Sequence, residues 1–504
     1  MQFPGLRSAL FSCCLLGLAL GCGTSPASSN DAGVDAGSNA DAGSNVDAGR
    51  DAGSNVDAGV DAGGKVDAGA DAGSGVDAGV DAGHNVNVCG AASGTVAWTA
   101  SIPAATTSLV PTDIVAGSTN DVVVGDVSSG SVFDQYRWNS SGTLLGSHHD
   151  AKGSYAGTLF PSNLVLDPQN DVFYGLVLTG LLQGSNSGAS VTFTRLAPDG
   201  STVFAKTYQN ALPASSGAPS VLVFQAGGDT GGNLHTTLTM GVPQYFPPAV
   251  YCWGGNGSDL GPSAQNVAAT LTASDFLWPS LDANLYLAQS VTTSSSLGYL
   301  SGCSSLTVPA AGATLLGKFS GGGGCIWAKL LALPTAAIEQ RAFRQGADGS
   351  LSLAVVYSGT IDFGGGPLSS SGSNSLALAR FDSAGKLLWT KNFGGAGSSF
   401  NLGRLDTNAA GVSVLTAGYS GSVDLGGGTL SASADTFIAV FDSSGTLKWD
   451  RVVTVGSSGR LLAAVGSCGV VLATDSPTVN LGFGPLSTVS PPSSATIGVA
   501  AIAL

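Results

Sequence analysis

The chain has 504 residues, with 33 acidic side chains against 18 basic ones, a formal net charge of −15, and 10% charged residues beside 75 glycines. An average soluble chain carries roughly 25% charge. This one cannot coat helices with it, and a single glutamate, Glu339, beside 32 aspartates leaves few strong helix formers. The composition argues against an extensive helical architecture, and the acidic balance argues against a nucleic-acid footprint, which needs the opposite sign.

Taken in chain order, the first segment reads as an export signal: one basic residue, Arg7, then an apolar run from Ala9 to Leu20, then small residues ending at Cys22. That run is too short to span a bilayer comfortably. Residues 18–22, LALGC, resemble the bacterial lipobox, in which a peptidase cleaves before a diacylated cysteine; Ala19 departs from the leucine usual at that position. The resemblance implies that residues 1–21 are a removed signal peptide and that Cys22 is the lipidation site. Each buried acyl methylene would add about 0.8 kcal/mol of membrane attachment. An ordinary signal peptide cleaved nearby is the alternative. Gly23 supplies no aspartate retention signal, which favours the outer membrane.

Residues 22–88 form the next unit. Asp-Ala-Gly recurs eleven times in it, from Asp31 to Asp81, with no aromatic residue. Such a segment cannot offset its ordering entropy by burial, so it is expected to be a disordered tether. As a flexible coil it would span roughly 45 Å, enough to hold a domain clear of surface polysaccharide. Its aspartates lack the Gly-Gly-x-Gly-x-Asp spacing of a calcium-binding β-roll, and they read as solvating charge.

The body, residues 89–504, repeats itself with a period of about 60 residues: the stretch from Tyr357 is echoed from Tyr419. Each unit parses into four strands. In the unit ending at Trp449, an apolar run near Leu402–Leu405 meets a turn at Asn408–Gly411. VSVLTAGY follows from Val412, and a Gly-rich loop separates it from TFIAVFD; the turn SSG then leads to TLKWD. Four consecutive antiparallel strands make a propeller blade. Weaker copies start at Phe133, Val191, Ala249 and Ala313, with first turns at Asn120-Asp121, Asn170-Asp171, Gly232-Asn233 and Ala283-Asn284. The last copy ends in a third strand, ATIGVAAIAL, while GTVAWTAS at residues 94–101 reads as an orphan fourth strand. Pairing the two would leave no sheet edge open. Fourth-strand markers at Trp98, Leu145, Phe204, Leu260, Trp327, Trp389 and Trp449 predict an all-β, seven-bladed β-propeller, with six or eight blades if a degenerate copy is miscounted.

The segment GTIDFGGGPL followed by LARFDSAGKLLWTKNFGG resembles the seven-bladed β-propeller repeats common in large secreted myxobacterial proteins, sharply over residues 350–460 and faintly elsewhere. That resemblance implies a propeller and a surface location, and no catalytic activity. FDSAGKLLW also resembles the Asp-x-x-Gly-Lys-x-x-Trp docking motif of quinoprotein propellers and of the propeller lipoprotein of outer-membrane barrel assembly, although the second copy has Thr446 in place of the lysine.

Trp98, Trp327, Trp389 and Trp449 hold equivalent strand positions and are expected to pack between repeats as core. The Gly-rich loops at Asp362, Asp424 and Asn480 lack the Lys-Ser or Lys-Thr and the helix of a phosphate cradle, so they read as turns. His148 and His149 beside Asp150 suggest a weak metal site, but adjacent strand residues point to opposite faces; neither metal nor cofactor is expected. No Gly-x-Ser-x-Gly elbow or glutamate pair is present. An exported context favours disulfides, and the positions of Cys89 and Cys468 predict a bond stapling the ring shut, with Cys303 to Cys325 as a second pairing. The function expected is a non-enzymatic, monomeric surface lipoprotein whose propeller binds a protein or glycan. Alternatives are an envelope scaffold of the barrel-assembly type and a quinoprotein-like oxidoreductase or lyase.

Overall fold

Short alternating runs broken by Gly, Ser and Asn turns satisfy their backbone hydrogen bonds by antiparallel pairing with the next segment along the chain. The computed structural model describes residues 86–103, 109–128, 132–151, 156–161, 163–167, 169–182, 186–211, 221–228, 234–240, 249–253, 259–263, 276–279, 284–293, 295, 297–300, 302–303, 306–310, 312–332, 337–346, 348–453, 461–475, 479–480, 488–489 and 496–504. The export signal, Cys22, the Asp-Ala-Gly repeats and the turn at Gly232-Asn233 lie outside the described residues. Among those described, the chain is all-β: five antiparallel sheets of four strands, one of five, one of six and one of two, with no α-helix.

In chain order, sheet 1 holds Leu109–Ala116, Val122–Ser128, Val132–Trp138 and Leu144–Ala151. Sheet 2 holds Ala156–Pro161, Val172–Leu182, Asn186–Leu196 and Thr202–Ala211, with Val165–Leu166 beside its second strand. Sheet 3 holds Val221–Gly228, Leu234–Met240, Ala249–Trp253 and Asp259–Ser263. Sheet 4 holds Phe276–Pro279, Leu285–Val291, Ala313–Phe319 and Cys325–Ala332, extended by the hairpin Thr360–Asp362 and Pro367–Ser369. Sheet 5 holds Ala337–Gln345, Leu351–Ser358, Ser375–Phe381 and Leu387–Phe393. Sheet 6 holds Ser399–Thr407, Ser413–Asp424, Thr429–Phe441 and Leu447–Val453. Sheet 7 joins the two ends of the described chain: Leu461–Val465, Gly469–Thr474 and Thr496–Ala503 are followed by Val96–Pro103.

Each sheet is apolar on two faces and packs against both sequence neighbours. The third strands Ala313–Phe319 and Ser375–Phe381 are buried throughout, and that of sheet 6 is buried over its last five residues, while a fourth strand such as Leu387–Phe393 is mostly half-buried or exposed. The first strands of sheets 5, 6, 7 and 1 lie side by side, and that of sheet 1 touches Val165–Leu166 of sheet 2. Val221–Gly228 of sheet 3 touches Val172–Leu182 of sheet 2 and Phe276–Pro279 of sheet 4. Sheets 4 and 5 share a cluster that includes Tyr286, Leu316, Phe343 and Leu353.

The repeated Asp-x-x-Gly turn between third and fourth strands explains how neighbours lock. Asp382 Oδ1 accepts from the amides of Ala384 and Lys386 at 3.0 and 2.8 Å, and Asp442 Oδ1 from those of Ser444 and Thr446, both at 2.9 Å. The turn needs a left-handed residue, which Gly385 and Gly445 supply at φ 78° and 80°. The glycine is also a seat. Trp327 of sheet 4 stacks on Gly385 and donates Nε1–H to Ser383 O at 3.0 Å; Trp389 of sheet 5 does the same at Gly445 and Ser443 O, 2.9 Å. Trp98 of sheet 7 covers Gly142 and donates to Ser140 O at 3.1 Å. A Cβ at Gly385, Gly445 or Gly142 would lie 2.8–2.9 Å from the ring above it, so only glycine fits.

Sheet 7 builds the same turn from two segments. In sheet 6, Asp442 N donates to Thr446 O at 2.9 Å and Gly445 N to Asp442 O at 3.0 Å. In sheet 7, Ala503 N donates to Thr95 O at 3.0 Å and Gly94 N to Ala503 O at 2.8 Å. Trp449 packs near Gly94, 3.9 Å from where its Cβ would be. The disulfide Cys89–Cys468, with a Cα separation of 5.0 Å, ties the entering segment to the first turn of sheet 7, and Asn120 bridges both halves through Cys468 N at 2.8 Å and Cys89 Sγ at 3.2 Å. Cys303–Cys325 joins a loop to the fourth strand of sheet 4 across 5.6 Å between Cα atoms.

Two sequence expectations are corrected. Leu145 and Leu260 are not the equivalents of the tryptophans: a bulge in each fourth strand skips one residue, so Gly146 pairs with Arg137 and Gly261 with Cys252, as Trp389 pairs with Arg380. Leu145 turns outward, 45% exposed, like Leu388 at 52%. Residues 86–88, assigned by composition to the tether, belong to the domain. Val86 N donates to Ala97 O at 3.1 Å, Val88 N to Ser140 O at 3.0 Å, and the buried Val88 side chain fills the space left by Gly469.

Replacing the buried Trp98 with alanine is expected to cost about 3 kcal/mol or more, the range for a truncated buried tryptophan, and replacing the half-buried Trp389 less. Urea denaturation checks this; unfolding free energies within about 0.5 kcal/mol of the parent chain would show that the seats do not hold the sheets together. Replacing Cys89 and Cys468 together with alanine is expected to cost about 2–5 kcal/mol, read by the same titration, with Cys303 and Cys325 left intact as the control.

Candidate functional site

Charge is scarce in this chain, so places where it converges stand out. The first strands of sheets 1, 5 and 6 bring Asp113, Arg344, Arg404 and Asp406 together. Asp113 Oδ1 accepts from Ile114 N at 2.9 Å and Oδ2 from Leu164 N at 2.6 Å, tying sheet 1 to sheet 2. Its carboxylate also pairs with Arg404, whose Nη2 donates to Ile114 O at 2.7 Å. Arg344 Nε lies 3.5 Å from Asp406 Oδ1, and Asp406 Oδ2 accepts from Val465 N of sheet 7 at 2.9 Å. Burial pushes the Asp406 carboxyl up and the Arg344 guanidinium down, while Arg344 and Arg404 draw Asp406 back toward ionisation. Two cations and two anions thus neutralise one another where the first strands of four sheets meet. Scattered from residue 113 to residue 406, these side chains form no sequence motif, and the reading of the sequence missed them.

The second cluster lies on sheet 1. Asp126 stands directly opposite Asp134, and Asp134 opposite His149, on one face of three paired strands. Asp134 holds His149 Nδ1. Asp126 has no exposed surface, and neither of its carboxyl oxygens has a hydrogen-bond partner among the described residues. The facing strands of sheet 7, Val96–Pro103 and Thr496–Ala503, contain no charged residue. Burial, reinforced by Asp134, pushes Asp126 from 3.8 up to about 8, so it is a neutral acid at pH 7. Burial and the same two carboxyls also raise Tyr136.

On the opposite face, His148 Nε2 lies 3.6 Å from Asp150 Oδ1, and Asp150 accepts from the Tyr174 hydroxyl of sheet 2. Burial and Asp150 push that phenol well above its usual range. The two adjacent histidines therefore serve different sheet boundaries. No three carboxylate, imidazole or thiol groups converge to hold a metal among the described residues. Two of the Gly-rich loops are closed on themselves: Asp362 Oδ1 accepts from the amides of Gly364 and Gly366 at 2.7 and 3.1 Å, and Asp424 Oδ1 from those of Gly426 and Gly428 at 2.8 and 3.2 Å; the loop after Asn480 lies outside the described residues. Those amides are spent on a turn. Among the described residues, no helix is long and apolar enough to cross a membrane.

No family model matches the chain, and no curated protein matches it. Among solved structures, a catalytically inactive virginiamycin B lyase from Staphylococcus aureus with quinupristin aligns at 10% identity over 80% of this chain and 99% of its own, with a TM-score of 0.35. Penicillium chrysogenum α-L-arabinanase complexed with arabinobiose aligns at 10% identity over 82% and 98%, with a TM-score of 0.31. A Synechocystis apocarotenoid oxygenase variant aligns at 10% identity over 78% and 71%, with a TM-score of 0.29. Likeness at these TM-scores carries no argument about what this chain binds or does.

Asp126 sets a pH dependence with a definite sign. Its folded pKa lies above its unfolded one, so its contribution to stability is complete below about pH 3.8 and is lost as pH rises toward 8. Over that window the unfolded chain releases a proton that the folded chain keeps, at a slope of at most on the order of 1 kcal/mol per pH unit. Asp126→Asn keeps the shape without the acid and is expected to flatten the fall between pH 5 and 8; denaturation midpoints across that range check it, and parallel curves for parent and variant would refute it.

Proposed function

We propose that the chain is a lipid-anchored lipoprotein of the secreted repeat type, carrying a seven-bladed β-propeller on a long acidic tether as a non-enzymatic module that binds a protein or glycan at the cell surface. The observation that carries the reading is the order of neighbours. Sheets 1 to 7 touch in sequence, and Val96–Pro103 pairs with Thr496–Ala503 so that the seventh packs on the first. A closed circle of blades accounts for that order and leaves its outermost strands as the edges facing solvent. Support for binding over chemistry comes from the charges. Asp113, Arg344, Arg404 and Asp406 pair with one another and with backbone groups, and Asp126 is fully buried. A tether of repeated Asp-Ala-Gly behind an acylated Cys22 suits a rigid module that must reach a partner while staying attached.

The test uses cells. Protease added to intact cells is expected to cut the Asp-Ala-Gly tether and release the propeller, and Cys22→Ala is expected to move the protein from the membrane to the soluble fraction. A protein protected from protease until the envelope is broken, or one that stays membrane-bound without Cys22, would defeat the reading.

A further inference from the structure

In every fourth strand, one residue follows the bulge and pairs with the end of the third strand: Trp98, Gly146, Phe204, Gly261, Trp327, Trp389 and Trp449. Trp98, Trp327 and Trp389 each cover the turn glycine of the next sheet and donate to a turn carbonyl. At the boundary from sheet 1 to sheet 2 the seat is built the same way. Ala197 N donates to Ser201 O at 2.8 Å, Gly200 N to Ala197 O at 2.9 Å, and Gly200 has φ 82°. The residue that would cover it is Gly146, which has no ring. A Cβ at Gly200 would meet only Ser147 O at 4.0 Å, where its counterparts meet an indole at 2.8–2.9 Å. A Cβ at Gly146 would meet only Asp199 O, at 3.8 Å.

A shallow cleft open to solvent lies here, with a cavity volume of about 20 Å³, lined by Gln135, Gly146, His148, Leu196, Pro198 and Gly200 among others. A second observation is independent of the turn. Gln135 is 3% exposed and lines the cleft; its amide engages the Tyr174 hydroxyl only loosely, and neither its nitrogen nor its oxygen has a well-formed hydrogen bond among the described residues. A buried amide this poorly satisfied is costly unless something supplies partners.

We propose that this open seat takes the indole of a tryptophan presented by a partner polypeptide. The ring stacks on Gly200 as Trp327 stacks on Gly385, with its N–H directed at Pro198 O, the counterpart of Ser383 O. The chain's own seats identify the occupant: the same turn at sheets 1, 5 and 6 is covered by an indole. Tryptophan is also the residue whose burial most often dominates a protein interface. The proposal rests on the reading of the chain as an interaction module and names where that module takes hold.

The test titrates the purified full chain with N-acetyl-L-tryptophanamide and follows the backbone amide signals of Gly146 and Gly200 and the side-chain amide of Gln135. Saturable shifts at all three are expected, with N-acetyl-L-leucinamide weaker by at least about tenfold. Gly146→Trp supplies the missing ring from within and is expected to weaken the probe by at least about tenfold; Gly146→Leu serves as a smaller plug if the tryptophan variant does not fold. No saturable shift, equal shifts in a folded plugged variant, or equal response to the leucine amide would overturn the proposal. So would a methyl glycoside moving the same amides in place of the indole. Crosslinking on intact cells separates the two readings. A partner captured by the parent chain and lost in Gly146→Trp supports the seat; one captured equally by both overturns the seat and leaves the interaction module standing.

Discussion

The structure depends on the antiparallel pairing of Val96–Pro103 with Thr496–Ala503, because it joins segments nearly four hundred residues apart and decides what the other sheets can do. A sheet that is apolar on both faces cannot end a row in water: its last face would stay exposed, and its edge would offer unpaired amides to any other strand. Bringing the ends together lets sheet 7 present Trp98, Ala100 and Ile102 to sheet 1, where Val122, Val124 and Trp138 receive them, while its other face meets sheet 6 through Val470 and Leu472. Neither end is held by chain connectivity, so the join is reinforced by other means. The disulfide, the Asn120 bridge and the turn rebuilt from Gly94, Thr95 and Ala503 all lie there.

The coupling between sheets rests on a second, smaller unit, a ring on a glycine. The aspartate of the turn holds two amides, the glycine removes its own side chain, and the neighbouring indole takes the space and satisfies one carbonyl. The turn and the ring that covers it come from different sheets, because each tryptophan acts on the sheet after the one that carries the turn preceding it. Where the ring is missing, at Gly146, the turn keeps its form because its own hydrogen bonds do not need the ring. That independence is what lets one seat be given up without unmaking the sheet below it.

How far the sequence could be read follows from the same physics. The four-strand unit was legible wherever alternation, an Asp-x-x-Gly turn and a tryptophan coincided, as from Tyr357 to Trp449, and the first turns were legible from Asn120 and Asn170, which both adopt positive φ. In the degenerate copies the nearest large residues, Leu145 and Leu260, stand one place before the true position. The bulge makes the true position the next residue, and a glycine there leaves no side chain to notice. Val86 and Val88 were lost to the tether because composition is averaged over tens of residues, whereas packing turns on one methyl group beside Gly469. The charged groups were illegible for another reason. Asp113 with Arg404, and Asp126 with Asp134, meet through register and sheet order, neither of which is local.

The two charged clusters constrain function differently. Where the first strands meet, each guanidinium has a carboxylate and each carboxylate a backbone amide, so a ligand entering there would have to displace partners already in place. Asp126 is the reverse: neither of its oxygens has a hydrogen-bond partner among the described residues, but it is fully buried, and burial keeps it protonated. A group can contribute to recognition only if it is both unsatisfied and reachable. Among the described residues, the boundary between sheets 1 and 2 combines a buried, poorly satisfied amide, a turn whose glycine is uncovered and an opening to solvent. What the fold leaves uncovered there, it covers elsewhere with an indole, and a ring from outside the chain would meet the same glycine and the same carbonyl.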